Sequence, residues 1–145
     1  GQLSDLAASL GLSSVVTFAG RLEPQQMADL YRSADIALNP SLIDNMPNSV
    51  LEAMATGLPI VSTNVGGVPH ILRNNETAIL VPPNAPGEMA QAIVRLIEDE
   101  SLCARMTQSA SVDVRRYSWQ RVWPAWSEAY RVVRTSGRHL AKEGQ

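Results

Sequence analysis

The sequence predicts an α/β fold: a parallel sheet of about four strands with flanking helices, followed by C-terminal helices. Two observations carry this. Short β-branched and apolar runs alternate with longer segments whose apolar residues recur at three- and four-residue spacing, the alternation that builds parallel βαβ units. Glycine, proline and asparagine punctuate the junctions between them, as turn chemistry requires.

Taken in order, Leu3, Leu6, Ala7 and Leu10 fall at helical spacing, with Gly11 as the stop signal. Val15-Val16-Thr17-Phe18 reads as a short buried strand ending at Gly20. Pro24 suits the first turn of a helix whose apolar face is Met27, Leu30 and Tyr31. Asp35 to Leu38 is a second strand, closed by Asn39-Pro40-Ser41. Val50 to Ala55 reads as a helix stopped by Gly57 and Pro59, and Ile60 to Ser62 as a third strand. Gly66-Gly67 marks a tight turn, and Ala78 to Val81 is a fourth strand, ended by Pro82-Pro83. From Gly87 the pattern is helical: Met89, Ala90, Ile93, Leu96 and Ile97 share a face, and Ser101 reads as the cap of a helix from Leu102. Ser118 caps a last helix carrying Trp119, Trp123, Trp126, Tyr130 and Val133, with core packing the first reading of that stripe. The expected organisation is a partial binding domain over residues 1–117, a C-terminal amphipathic helix over 118–136 and a disordered tail over 137–145. Such Rossmann-like sheets bind ligands at the carboxyl ends of their strands. The loops there are Gly20–Glu23, Pro40–Asn48, Thr63–Pro69 and Pro82–Pro86.

At 145 residues, 45% hydrophobic and 18% charged, the chain has the size and composition of one globular domain. A net charge of −2 gives no whole-chain reason to expect nucleic acid. That average hides a split: seven basic and two acidic side chains follow Val114, a segment charge of +5 against −7 for the rest. Such asymmetry suggests a basic segment facing another domain or a membrane surface, or else a solvated basic helix. Cys103 is the only cysteine and sits in a helical pattern, where a small core hydrophobe is expected. No apolar run approaches the roughly 20 residues of a membrane span. The chain starts at Gly1 without an initiator methionine and reads as a piece of something longer.

The richest loop is Pro40-Ser41-Leu42-Ile43-Asp44-Asn45-Met46-Pro47-Asn48, which runs into the helix bearing Glu52. A helix start attracts anions because its first N–H groups lack intrahelical partners and its dipole is positive there. No Lys or Arg lies between Pro40 and Leu72, so backbone amides would hold any phosphate. Asp44 and Glu52 could face one ligand and bind its hydroxyls, although Asp44 reads first as a cap on the following turn. Glu52 stands among apolar neighbours, where a carboxylate costs stability unless partnered. On the residues alone the reading stops at an α/β domain for a phosphorylated polyol.

The run from Asp44 to Val61 resembles the E-x7-E signature of the family-4 retaining glycosyltransferases of the two-domain GT-B fold. Four further landmarks stand in the family's order: Val16-Thr17-Phe18-Ala19-Gly20, Leu30-Tyr31-Arg32-Ser33-Ala34-Asp35, Pro40-Ser41 and Gly66-Gly67-Val68-Pro69. The likeness covers about Gly11 to Pro82. It implies the donor-binding half of an enzyme that moves a sugar from a UDP-, GDP- or ADP-linked donor to an acceptor with retention. It implies Glu52 on the ribose hydroxyls and Asp44 on hydroxyls of the donor sugar. The main chain around Met46, Pro47, Asn48 and Ser49 would hold sugar and diphosphate, with Pro47 only shaping the turn, and Gly20, Arg21 and Leu22 would line the base. No cofactor and no metal is implied, and no D-x-D cluster is present. The family is cytoplasmic or peripheral at the membrane's inner face.

Three departures stand out. Asp44 replaces the usual glutamate, so its oxygens reach about 1.5 Å less far. His70 stands where a Glu commonly follows G-G-x-P and is expected to have no catalytic role. Asn75 and Ala78 occupy positions where glycines are common. The resemblance further implies an acceptor-binding N-terminal domain and two strands with a basic pair that precede Gly1, and hence a chain inactive by itself. Two rival readings stay open: another GT-B enzyme class, and a catalytically inactive sugar-nucleotide-binding or scaffolding module. A dinucleotide domain is disfavoured, since no G-x-G-x-x-G opens a helix.

Overall fold

The computed structural model describes residues 1–140, with side chains described through Arg131. It divides into two units, Gly1–Ser33 and Ala34–Gln145, a boundary inside the expected 1–117 domain.

The first unit holds α1 (Gln2–Ser9) and α2 (Pro24–Ser33). Pro24 opens α2 as expected, its missing N–H costing nothing in a first turn. Of the apolar stripe on α1 only Ala7 is buried. The strand expected at Val15–Phe18 does not form. The Val15 and Val16 amides both bond to the Leu12 carbonyl in a local turn, and Val15 is 75% exposed. A strand exists only through a partner's hydrogen bonds, and among the described residues nothing pairs with this run. The sheet therefore has three strands rather than four.

The second unit runs β1 (Ala37–Asn39), α3 (Asn48–Thr56), β2 (Ile60–Thr63), α4 (Val68–Ile71), β3 (Ile79–Val81), α5 (Pro86–Glu98), α6 (Glu100–Asp113), a 3-10 turn (Val114–Tyr117) and α7 (Trp119–Leu140). The strands lie in the order β1-β2-β3, all parallel, with Leu38 opposite Val61 and Ser62 opposite Leu80. All four residues of central β2 are buried, so both faces of the sheet are covered there. Val61, Ile79 and Val81 pack with Ala92 and Leu96 of α5 and with Leu102 and Met106 of α6. Each such aliphatic side chain gains about 1.5–3 kcal/mol on full burial. Helix α3 buries Val50, Ala53 and Met54, and Gly57 closes it in the left-handed conformation at φ 78°.

Several local expectations change. Helix α6 begins at Glu100, and its cap is Asp99, whose carboxylate accepts from the Leu102 amide; Ser101 instead donates its hydroxyl to Asp99. These two bonds, the amide first, hold the Asp99 carboxyl below its ordinary range. Cys103 is only half-buried on this helix. Asn75 adopts φ 61°, a left-handed position that asparagine tolerates, and thereby fills the role of the family's glycine. Helix α7 continues through Pro124 and reaches Leu140, beyond the expected end at Ser136; residues 141–145 lie outside the described residues. Trp119, Trp123, Trp126 and Tyr130 are exposed rather than core. Their rings pack on one another along the helix, Trp119 against Trp123 and Trp126 against Tyr130. Val133 lies outside the described side chains.

Candidate functional site

The carboxyl edge of the sheet is built by polar residues at the ends of two adjacent strands. Asn39 closes β1 and donates its amide to the Ser62 hydroxyl at 3.1 Å, while accepting from Ser41 at 2.8 Å. The Thr63 hydroxyl lies 3.3 Å from the Asn39 carbonyl and 2.5 Å from that of Ser41. Asn39, Ser62 and Thr63 are buried, so the bonds from Asn39 to Ser62 and from Thr63 to Asn39 are made where water cannot replace them, while those to Ser41 lie at the rim. This network fixes the point at which the chain leaves β1 for the Pro40–Asn48 loop. Sequence reasoning missed it. The available signal was the placement of Asn39, Ser62 and Thr63 at the ends of apolar strands.

The far end of the loop is clasped from the other side by Gly66-Gly67. The Gly67 amide donates to the Asp44 carbonyl at 2.8 Å. A Cβ on Gly66 would stand 2.0 Å from the Asp44 carbonyl oxygen, and one on Gly67 would stand 1.5 Å from that of Asn45. No side chain fits either place. Gly66 is also at φ 51°, where glycine is the natural choice. The two motifs read separately from the sequence are thus one unit, main chain against main chain.

Pro47 ends the loop in extended conformation and caps α3 through its carbonyl, which accepts from Val50 at 3.1 Å. The N-cap residue, Pro47, makes no side-chain capping bond. The N–H groups of the first turn, at Asn48 and Ser49, precede the first intrahelical bond. Asp44 is half-buried; Asn45, Met46, Asn48 and Ser49 are exposed around it. Glu52, the fifth residue of α3, is exposed. Val50, Ala53 and Met54 turn inward on this helix and Glu52 turns out. Gly20, Arg21 and Leu22 belong to the first unit, in the exposed turn before α2, with Gly20 at φ 65°.

A cavity of about 150 Å³ opens beside the loop, lined by Pro40, Leu42, Thr63, Pro82, Asn84, Ala85, Pro86 and Met89. Neither Asp44 nor Glu52 lines it, and it is smaller than the roughly 300–1,000 Å³ of small-molecule sites. Among the described residues no three His, Cys, Asp or Glu side chains converge as metal ligands. No helix among them is long and apolar enough to cross a membrane.

A parallel sheet with helices on its faces and a loop-to-helix junction at its carboxyl edge defines a Rossmann-like domain. Residues 1–99 match the family model of the glycosyl transferases group 1. The chain belongs to that family. It is 32% identical over 139 residues to a D-inositol 3-phosphate glycosyltransferase of Streptomyces bingchenggensis, covering 96% of this chain and 30% of the relative. A protein of the same name from Rhodococcus opacus is 32% identical, with 90% and 29% covered. The chain thus spans about a third of the length of these relatives. Among solved structures, sucrose-phosphate synthase of Thermosynechococcus elongatus superposes with TM-score 0.88 at 26% identity, over 93% of this chain and 34% of that one. An Anabaena protein, HepE, solved in complex with UDP, superposes with TM-score 0.76 at 25% identity, over 88% of this chain and 36% of that one. The fold is that of the GT-B Rossmann-like domains.

Proposed function

We propose that this chain is the donor side of a retaining glycosyltransferase. The observation that carries the reading is the clasped loop, in which the Asp44 main chain is locked to Gly66-Gly67 immediately before the first turn of α3. In this reading the α3 amides and its dipole hold the diphosphate, since no Lys or Arg lies from Pro40 to Leu72. Glu52 accepts from the ribose hydroxyls and Asp44 from hydroxyls of the sugar. Met46, Asn48 and Ser49 contact sugar and phosphate, and Pro47 shapes their turn. The bond between the anomeric carbon and the diphosphate oxygen breaks. An acceptor oxygen bonds to that carbon on the face the diphosphate left, and the acceptor's proton leaves with the diphosphate. Preorganised amides stabilise the departing charge, without a metal.

The acceptor site, a basic pair and two further strands belong, in this proposal, to an N-terminal part of the same polypeptide. The UDP complex of the Anabaena neighbour supports a nucleotide-linked donor. We place the parent in the cytoplasm, with a peripheral membrane contact through the basic segment after Val114. Titration of UDP-, GDP- and ADP-linked sugars against the longer protein tests the donor reading. Glu52→Ala should cost at least tenfold in affinity, and unchanged affinity for every nucleotide would refute it. Sugar transfer by residues 1–145 alone would refute the inactivity of this chain. A second reading, a catalytically inactive binding module, is favoured by Asp44 standing where the family has glutamate; binding without turnover in the longer protein would select it.

A further inference from the structure

Helix α4 links two places that the sequence does not connect. Its start is the Gly66-Gly67 clasp on the Asp44 loop. Its inner side is fixed, with Val68, Ile71 and Leu72 all buried. Its outer end is different. In so short a helix the last carbonyls have no intrahelical donor: the Val68 carbonyl receives the Leu72 amide, whereas the His70 carbonyl is met from outside. Arg116, in the 3-10 turn before α7, donates its Nη2 to that carbonyl at 3.0 Å. The Tyr117 hydroxyl reaches the same oxygen at 3.5 Å, and the Arg116 guanidinium stacks over the Tyr117 ring, 4.8 Å from its centre. One residue past Leu72, Arg73 pairs with Asp113 at the end of α6 and with Glu76.

We infer that Arg116 is a positioning residue for the donor loop. A charge-assisted bond to a helix-end carbonyl is stronger than a neutral one and complements the helix dipole. Here it holds the outer end of a strut only four residues long, about 6 Å, whose other end sets the Asp44 main chain. Loss of the bond lets α4 rotate about its buried side, and the movement is delivered to Gly67 and through it to Asp44. Asp44 is reached through the Gly67 clasp at the start of the strut, whereas Glu52 lies on α3, which packs separately against the 3-10 turn. Arg116 therefore tunes the sugar end of the site more than the nucleoside end. That last step rests on the donor reading above; the mechanical coupling does not.

The test uses residue-resolved amide exchange on the whole chain. In Arg116→Met the Gly67 amide should exchange about threefold to tenfold faster, while Val61 and Ser62 in β2 keep their rates. Arg116→Lys, which restores a cationic donor, should return Gly67 to within about twofold of the parent. An unchanged Gly67 rate would overturn the inference. So would a rise shared equally by β2, because that is ordinary destabilisation. Calorimetric titrations of the same substitutions made in the longer protein, with UDP and UDP-glucose, GDP and GDP-mannose, and ADP and ADP-glucose, add a second readout. The methionine variant should lose most of the increment contributed by the sugar and little of the affinity for the diphosphate; equal loss for both ligands of a pair would overturn it. If the unsubstituted longer protein binds none of the six, the donor reading fails, while the exchange result still decides the coupling.

Discussion

Replacing Gly67 by alanine tests the clasp directly. The backbone there has φ −84°, which any residue adopts, so the effect is steric and not conformational. The new methyl would stand 1.5 Å from the Asn45 carbonyl oxygen. An ordinary carbon–oxygen contact needs about 3.3 Å, so the two main chains must part by about 1.8 Å. Overpacking of this kind costs about 1–3 kcal/mol. The 2.8 Å bond from the Gly67 amide to the Asp44 carbonyl stretches as well, for about 1 kcal/mol more. The expected loss is therefore about 2–4 kcal/mol, a large part of the 5–15 kcal/mol typical of a domain. Gly87→Ala is the matched control. It lies in the first turn of α5 with nothing within 4 Å of the added carbon, and the same chemical change there should stabilise by about 0.4–1 kcal/mol. Urea unfolding with slopes compared across the three proteins is the assay. Equal stability of Gly67→Ala and the parent would refute the reasoning, because the loop would then have another way to sit.

Other consequences are as specific. Met54 is fully buried on α3, and Met54→Ala should cost about 2–5 kcal/mol in the same unfolding assay. Thr63→Val keeps shape but leaves the Ser41 carbonyl without its 2.5 Å donor, for an expected loss of about 1–3 kcal/mol. Asp99→Ala should lower the melting temperature in a pH-dependent way. The folded carboxyl lies below the ordinary aspartate value of 3.8, so its contribution is present above that value and lost as pH falls through the depressed one. The gap between parent and variant should thus be open at neutral pH and close in acid; a constant gap would show that the cap acts without its charge.

The parallel sheet and its helices were legible because the strands of the second unit are short apolar runs bounded by turn residues, as Ile60 to Thr63 is by Pro59 and Asn64. Val15–Phe18 has the same local composition and failed, since strand identity belongs to a pair of segments and the partner is a long-range fact. Asp99 and Ser101 are both good capping residues two positions apart, and only the actual start of the helix decides between them. Pro124, the sixth residue of α7, runs against propensity, since it gives up the bond its N–H would make to the Gln120 carbonyl, and the helix continues past it nonetheless. The loop Asp44–Asn48 was found through its pattern of residues. Its clasp was not, because a glycine that makes room for another segment looks in sequence like a glycine that merely turns. Arg116 was read as part of a basic segment; only the fold brings it to His70.

Holding the loop by its own backbone has an evolutionary reading. Leu42, Ile43 and Met46 are all largely exposed on it, Ile43 at 89%, and none of them takes part in the main-chain contact that sets its path. Those three positions can drift, or be randomised in a library, while two glycines outside the loop keep the peptide planes where they are. Side-chain chemistry along the loop and the integrity of the scaffold are then inherited separately, so a lineage can change the one without relearning how to fold.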